Sequence, residues 1–150
     1  MAEEQQAATQ FQIHKLYAKE LSFEIPGGLQ AFKAEWAPEL NVEISNETKA
    51  LAEKDTHEVV LGIKCTVNSS GEVIFIAEAK QAGIFTLPEM PEEQARHTLG
   101  AFCPNLLYPY LRETISDMVM RGGFPQLALA PIDFNLMYEQ HKNQTPATVN

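Results

Sequence analysis

Two runs of period-two alternation flank the tetrapeptide NSSG (residues 68–71), and they constrain the fold more than any other feature. Val59, Leu61, Ile63, Cys65 and Val67 take every second position before it. Val73, Phe75, Ala77 and Ala79 do so after it, separated by Glu72, Ile74, Ile76, Glu78 and Lys80. Successive side chains of a strand point to opposite faces, so each run predicts a half-buried strand, and NSSG predicts the hairpin between them. A third run places Phe11, Ile13, Tyr17, Leu21, Phe23 and Ile25 on one face, with Gln12, His14, Glu20, Ser22 and Glu24 on the other. Lys15, Leu16, Ala18 and Lys19 blur it. Pro26, Gly27 and Gly28 end that strand, and the aperiodic stretch carrying Phe32 and Trp36 predicts a loop crossing to the next one. There Leu40, Val42 and Ile44 alternate with Asn41 and Glu43, before a polar connection, SNETKALAEKDT, with a short helical turn. The outward positions carry Glu20, Ser22, Glu24, Glu39, Glu43, Glu58, Glu72 and Glu78. One wet face is what an antiparallel sheet leaves. Such a face is either merely solvated or an acidic docking surface, with Val60, Ile74 and Ile76 among the acids as anchors.

The second half reads as helix. Pro91 suits a first turn, and Glu92 and Glu93 complement the helix dipole. Leu107, Leu111, Ile115, Met118 and Val119 keep the helical period, and Gly122-Gly123 stops it. Pro104 and Pro109 lie inside, where each costs about 3 kcal/mol, so the segment is two pieces or one kinked rod held by packing. FPQLALAP (124–131) predicts an extended connector. Asp133 caps a last short helix bearing Phe134, Met137 and Tyr138. The expectation is one α+β domain over residues 1–150, with flexible tails at 1–9 and about 142–150.

Composition excludes more than it identifies. The net charge of −9 comes from 11 basic and 20 acidic residues, with no basic patch of the kind nucleic acid demands. The first ten residues carry no secretory signal, and no apolar run reaches the roughly 18 residues that span a bilayer. The expectation is a soluble cytoplasmic protein without direct membrane insertion. Cys65 and Cys103 sit in apolar runs and read as buried free thiols. His14, His57, His97 and His141 make no metal-spaced pair, and no catalytic motif appears. Cys103 with His97 is the one nucleophile-and-base reading, against buried filler. The expectation is no enzyme, no metal and no cofactor.

Four blocks then carry a resemblance: FEIP (23–26), QAGIF (81–85), LGAFCPNLLYPYLRE (99–113) and RGGFPQLALAPIDF (121–134). In order and spacing they resemble the bacterial export chaperones of the SecB family, from about Phe11 to Tyr138. The resemblance implies a four-stranded antiparallel sheet with a crossover loop, one long helix and one short one. It also implies a homotetramer, a dimer of dimers, with the long helices between two eight-stranded sheets, so that neighbouring subunits cover Leu107, Leu111, Ile115 and Met118. It implies a holdase that keeps unfolded secretory preproteins translocation-competent and passes them to the SecA ATPase. Its apolar client groove would comprise Trp36, Leu40, Val42, Ile44, Phe134 and Met137. From the residues alone, Leu40, Val42 and Ile44 read equally as ordinary core. SecA's basic, zinc-bearing tail would dock on Glu20, Glu24, Ile76 and Glu78. Other readings are a SecB-like chaperone dedicated to one client, such as an antitoxin, or a small ligand-binding α+β protein with clustered titratable groups.

Overall fold

The computed structural model describes residues 10–149, with side chains as far as residue 143. The tail expected at residues 1–9 lies outside the described residues. Four strands, β1 (Gln12–Glu24), β2 (Pro38–Ala50), β3 (Thr56–Ser69) and β4 (Glu72–Thr86), form one antiparallel sheet in the order β1-β4-β3-β2. A long helix, α1 (residues 92–121), and a C-terminal helix, α2 (Phe134–Val149), follow. This is the α+β architecture the pattern predicts. β1 and β2 are consecutive in sequence but occupy opposite edges, so residues 25–37 cross the sheet, with a 3-10 turn at Gly28–Phe32.

Ser70 and Gly71 both have positive φ, 55° and 82°. A two-residue hairpin turn of that hand matches the twist of its strands, and glycine takes the second position without strain. β2 continues where a polar connection was expected. Asn46, Thr48 and Ala50 pair with Leu61, Val59 and His57, because edge-strand hydrogen bonds do not need apolar side chains. The connection shrinks to residues 51–55. At the other end of the chain, the segment expected as a tail from residue 142 is helical as far as Val149.

Three bulges correct the facing of β1 and β4. β1 slips one residue against β4 between Ile13 and Lys15, and again between Ala18 and Glu20. Each extra residue inverts the alternation. Leu16 therefore turns toward the core, and Tyr17 moves to the outer face with Glu20 and Glu24. The blurred stretch in the sequence is the bulged stretch. A third slip, between Val67 and Asn68 on the β3 side, leaves Ile74 as the extra residue of β4. Ile74 is buried in the core and Val73 is exposed, the reverse of the strict alternation.

α1 is one rod. A π turn, Thr98–Phe102, joins an α segment, Glu92–His97, to the main run, Cys103–Arg121. The Cys103 N–H donates to the Thr98 carbonyl, five residues back. That wider turn sits directly before Pro104, whose ring collides with a regular preceding turn. Pro109 removes the N–H partner of the Asn105 carbonyl at a point where both residues are exposed to solvent. The helix tolerates its prolines by these local means.

α1 lies across β3 and β4. Leu107, Leu111, Ile115 and Val119 pack into one core with Val59, Leu61, Ile63 and Cys65 of β3 and Phe75, Ala77 and Ala79 of β4. Leu107, Leu111 and Ile115 are only 0%, 1% and 0% exposed in the single chain. Their cover is the chain's own sheet, which corrects the expectation that neighbouring subunits supply it; Met118 alone of the four is half-buried. Fully burying each such side chain is worth roughly 1.5–3 kcal/mol.

Candidate functional site

α1 lies over β3 and β4 and leaves apolar surface on β2. Leu40, Val42 and Ile44 stand opposite Val67, Cys65 and Ile63 on the helix side of the sheet. Leu40 and Val42 remain 45% and 36% exposed, whereas Val67 and Cys65 are 3% and 0%. Ile44 is half-buried against the core. Beside Leu40 the crossover supplies Trp36, whose indole stacks on Phe124 at 6.1 Å. Phe124 is also stacked on Phe32 at 5.1 Å and tilted against Phe75 at 4.9 Å. Buried Ser69, from the hairpin tetrapeptide, fixes this arrangement. Its hydroxyl donates to the Glu35 carbonyl and accepts the Ala37 N–H at 2.8 Å, holding the backbone on both sides of Trp36. The result is a cleft of about 270 Å³ lined by Trp36, Pro38, Leu40, Phe75, Pro125 and Leu127.

The cleft brings together Trp36 and Leu40, and Val42 and Ile44 continue along the same face of β2. Phe134 does not join them as an accessible groove residue. It is buried edge-on against Tyr108, ring centroids 5.6 Å apart, and the Tyr108 hydroxyl donates to the Ala130 carbonyl at 2.6 Å. Phe134 anchors the first turn of α2, where the Leu136 N–H donates to the Asp133 carboxylate at 3.0 Å, the cap the sequence predicts. Met137 is exposed, as is its neighbour Leu136. Further along, Tyr138 packs so closely over Gly100 that a Cβ there would stand 2.7 Å from the ring. Pro38, Pro125 and Leu127 also belong to the cleft; nothing in the local pattern of the crossover or of the connector marks them as lining it.

The outer face reads as rows across the strands. Glu24 and Ile76 are direct partners, as are Ser22 and Glu78, and Glu20 and Lys80. The four residues expected to meet SecA therefore form one contiguous patch on β1 and β4. Glu20 and Glu24 are exposed, and Ile76 and Glu78 are half-buried. The face is less purely acidic than the glutamates alone suggest. Lys64 stands between Glu43 and Glu78, and the Lys80 ammonium lies 3.3 Å from Glu20. At the other end Tyr17 donates to the Glu58 carboxylate, and Lys19 pairs with it at 2.9 Å. The bond to Glu58 pushes the Tyr17 phenol up to about 12, and the bonds from Tyr17 and then Lys19 hold Glu58 below the usual carboxylate range.

The reading of Cys103 and His97 as nucleophile and base fails. Burial pushes the Cys103 thiol up to about 12 and the Cys65 thiol to about 11, where a nucleophile needs the opposite. Among the described residues no group of three or more His, Cys, Asp or Glu could hold a metal ion, and no helix is long and apolar enough to cross a membrane.

Comparison with known proteins agrees with this fold. Residues 4–145 match the family described as preprotein translocase subunit SecB. The chain is 49% identical over 136 residues to protein-export protein SecB 1 of Francisella tularensis subsp. novicida, spanning 91% of each chain. It is 47% identical over 150 residues to protein-export protein SecB of Psychrobacter arcticus, spanning 100% of this chain and 99% of the relative. A SecB-like chaperone of Mycobacterium tuberculosis, solved with a peptide from an antitoxin, shares the fold with a TM-score of 0.67. That match covers 88% of this chain and 97% of the other, at 18% identity. The chain belongs to the SecB family and is a protein-export chaperone rather than an enzyme.

Proposed function

We propose that clients enter as unfolded, extended segments along the helix-side face of β2, with an aromatic side chain seated in the cleft beside Trp36. A SecB-family chaperone binds preproteins and interacts with SecA. The observation that carries this reading is the exposed apolar surface of Leu40 and Val42, continuous with the Trp36 cleft. Contiguous exposed apolar surface marks interaction sites. Each contact is weak, and several sites on one long client raise avidity. Basic residues between the apolar ones suit a chain whose net charge is −9.

SecA docks on the patch of Glu20, Glu24, Ile76 and Glu78, with its basic tail on the carboxylates; the zinc is SecA's own. The working form is a cytoplasmic homotetramer. The surface that suits self-association is the outer side of α1, where Phe102, Tyr110 and Met120 are exposed. Client capture is tested by binding one secretory precursor, unfolded and folded, with the particle mass read by light scattering. Tight binding of the unfolded form alone, by four chains, is expected. Equal binding of both forms sinks the holdase reading. For SecA, Glu24→Lys and Glu78→Lys weaken binding and leave the tetramer intact; unchanged affinity sinks that assignment.

A further inference from the structure

Inside the SecA-docking patch one carboxylate already has a cation. Lys80 extends from β4 to Glu20 on β1, 3.3 Å between charged atoms, and it is about one-third exposed. On its other flank is Gly62 of β3, the direct partner of Lys80 in the register. A Cβ at Gly62 would lie 2.6 Å from Ser45 Oγ and 3.4 Å from Lys80 Cγ. The missing side chain therefore leaves room for the Ser45 hydroxyl on one side and the lysine stem on the other. This gap borders a depression of about 150 Å³ whose rim includes Glu43, Ser45, Lys64 and Glu78.

We propose that Lys80 is a displaceable counter-ion and sets how basic a docking partner must be. In the free chain it neutralises Glu20. When a partner's arginine or lysine takes Glu20, the Lys80 ammonium is released toward solvent, because Glu43 and Glu78 on its other side already flank Lys64. Exposed ion pairs are weak and screened, so the exchange is cheap, but it lowers affinity for weakly basic segments. Glu24 has Ile76 opposite rather than a lysine, so it meets the partner first. The proposal rests on the docking reading above and adds a specificity residue to it.

The test is binding of SecA's basic C-terminal tail at low and physiological salt to full-length Lys80→Gln, with Lys80→Met as a stem-preserving second variant. About two- to five-fold tighter binding is expected at low salt, shrinking as salt rises. Lys49→Gln removes the same charge at the far end of the outer face, opposite Glu58, and leaves affinity unchanged. The Lys80 gain also disappears in a Glu20→Gln background, which a general change of net charge would not produce. If the Lys80 variants bind no tighter while Glu24→Lys still loses binding, the counter-ion idea is overturned and docking stands. If Glu24→Lys binds normally as well, the docking reading itself has failed.

Discussion

β2 and β3 carry the same apolar alternation on the same face of one sheet, and their side chains meet opposite fates. Val59, Leu61 and Cys65 have no exposed surface, while Leu40 and Val42 keep 45% and 36% of theirs. Residue type does not explain this: Val42 is exposed, whereas Val59 and Val67 on the same face are buried. The cause is topology. β3 is internal and lies beneath α1, whereas β2 is the edge reached by the crossover. Alternation fixes which face a residue occupies; what crosses that face decides whether it becomes core or stays open.

The strongest attack on this contrast is a truncation under the helix. Leu111→Ala removes a fully buried side chain and should cost about 2–5 kcal/mol in urea unfolding at fixed protein concentration. A loss below about 1 kcal/mol would mean that the sheet is not what covers α1. Ser69→Ala comes next. It leaves the Ala37 N–H and the Glu35 carbonyl without their partner, a cost of about 1–3 kcal/mol. Trp36 is the only tryptophan, so its emission reports the crossover directly. A red shift in the folded Ser69→Ala protein is expected. An unchanged spectrum would mean that the stack on Phe124 alone holds the indole.

Much of this was legible in the sequence. The NSSG hairpin, the β3 alternation, the Asp133 cap and the Gly122 stop depend on neighbours in the chain, so local chemistry reveals them. The two bulges of β1 showed only as a blurred alternation and the bulge of β4 not at all, because a bulge is a relation between two strands. Tyr17 and Ile74 were consequently assigned to the wrong faces. The burial of Leu107, Leu111 and Ile115 shows the same limit in a helix. A periodic apolar stripe says that cover exists but does not say whether it comes from the same chain. The grouping of Glu20, Glu24, Ile76 and Glu78 came from the family resemblance; their contiguity across β1 and β4 needed the register.

The bulged strand offers a smaller, pH-resolved test. Tyr17 reaches Glu58 only because the slip between Ala18 and Glu20 turns it outward. Glu58 is held below its ordinary range in the fold. Its contribution is therefore present above the unfolded carboxylate value, about 4.3, and is lost as pH falls through the lowered value. Tyr17 has the opposite sign: its contribution is complete below about 10 and is lost as pH rises through about 12. Tyr17→Phe should cost about 1 kcal/mol at neutral pH and flatten the acid limb of the stability profile. An unchanged acid limb would place the interaction elsewhere.

The smallest expected change in stability belongs to Leu40, and it tests the contrast most directly. Leu40 keeps nearly half its surface free, so exchanging it removes fewer contacts than exchanging Leu111. Threonine is branched at Cβ, a shape that suits a strand. Leu40→Thr should therefore shift stability by less than about 1 kcal/mol, while weakening an unfolded client about tenfold, because a bound segment buries the part of Leu40 that the fold leaves open. The two readouts must separate. If Leu40→Thr costs as much as Leu111→Ala, Leu40 is core and the division between the two strands disappears. If it moves neither stability nor client affinity, the division stands but clients bind elsewhere. In that case the exposed Leu136 and Met137 on α2 become the next surface to alter.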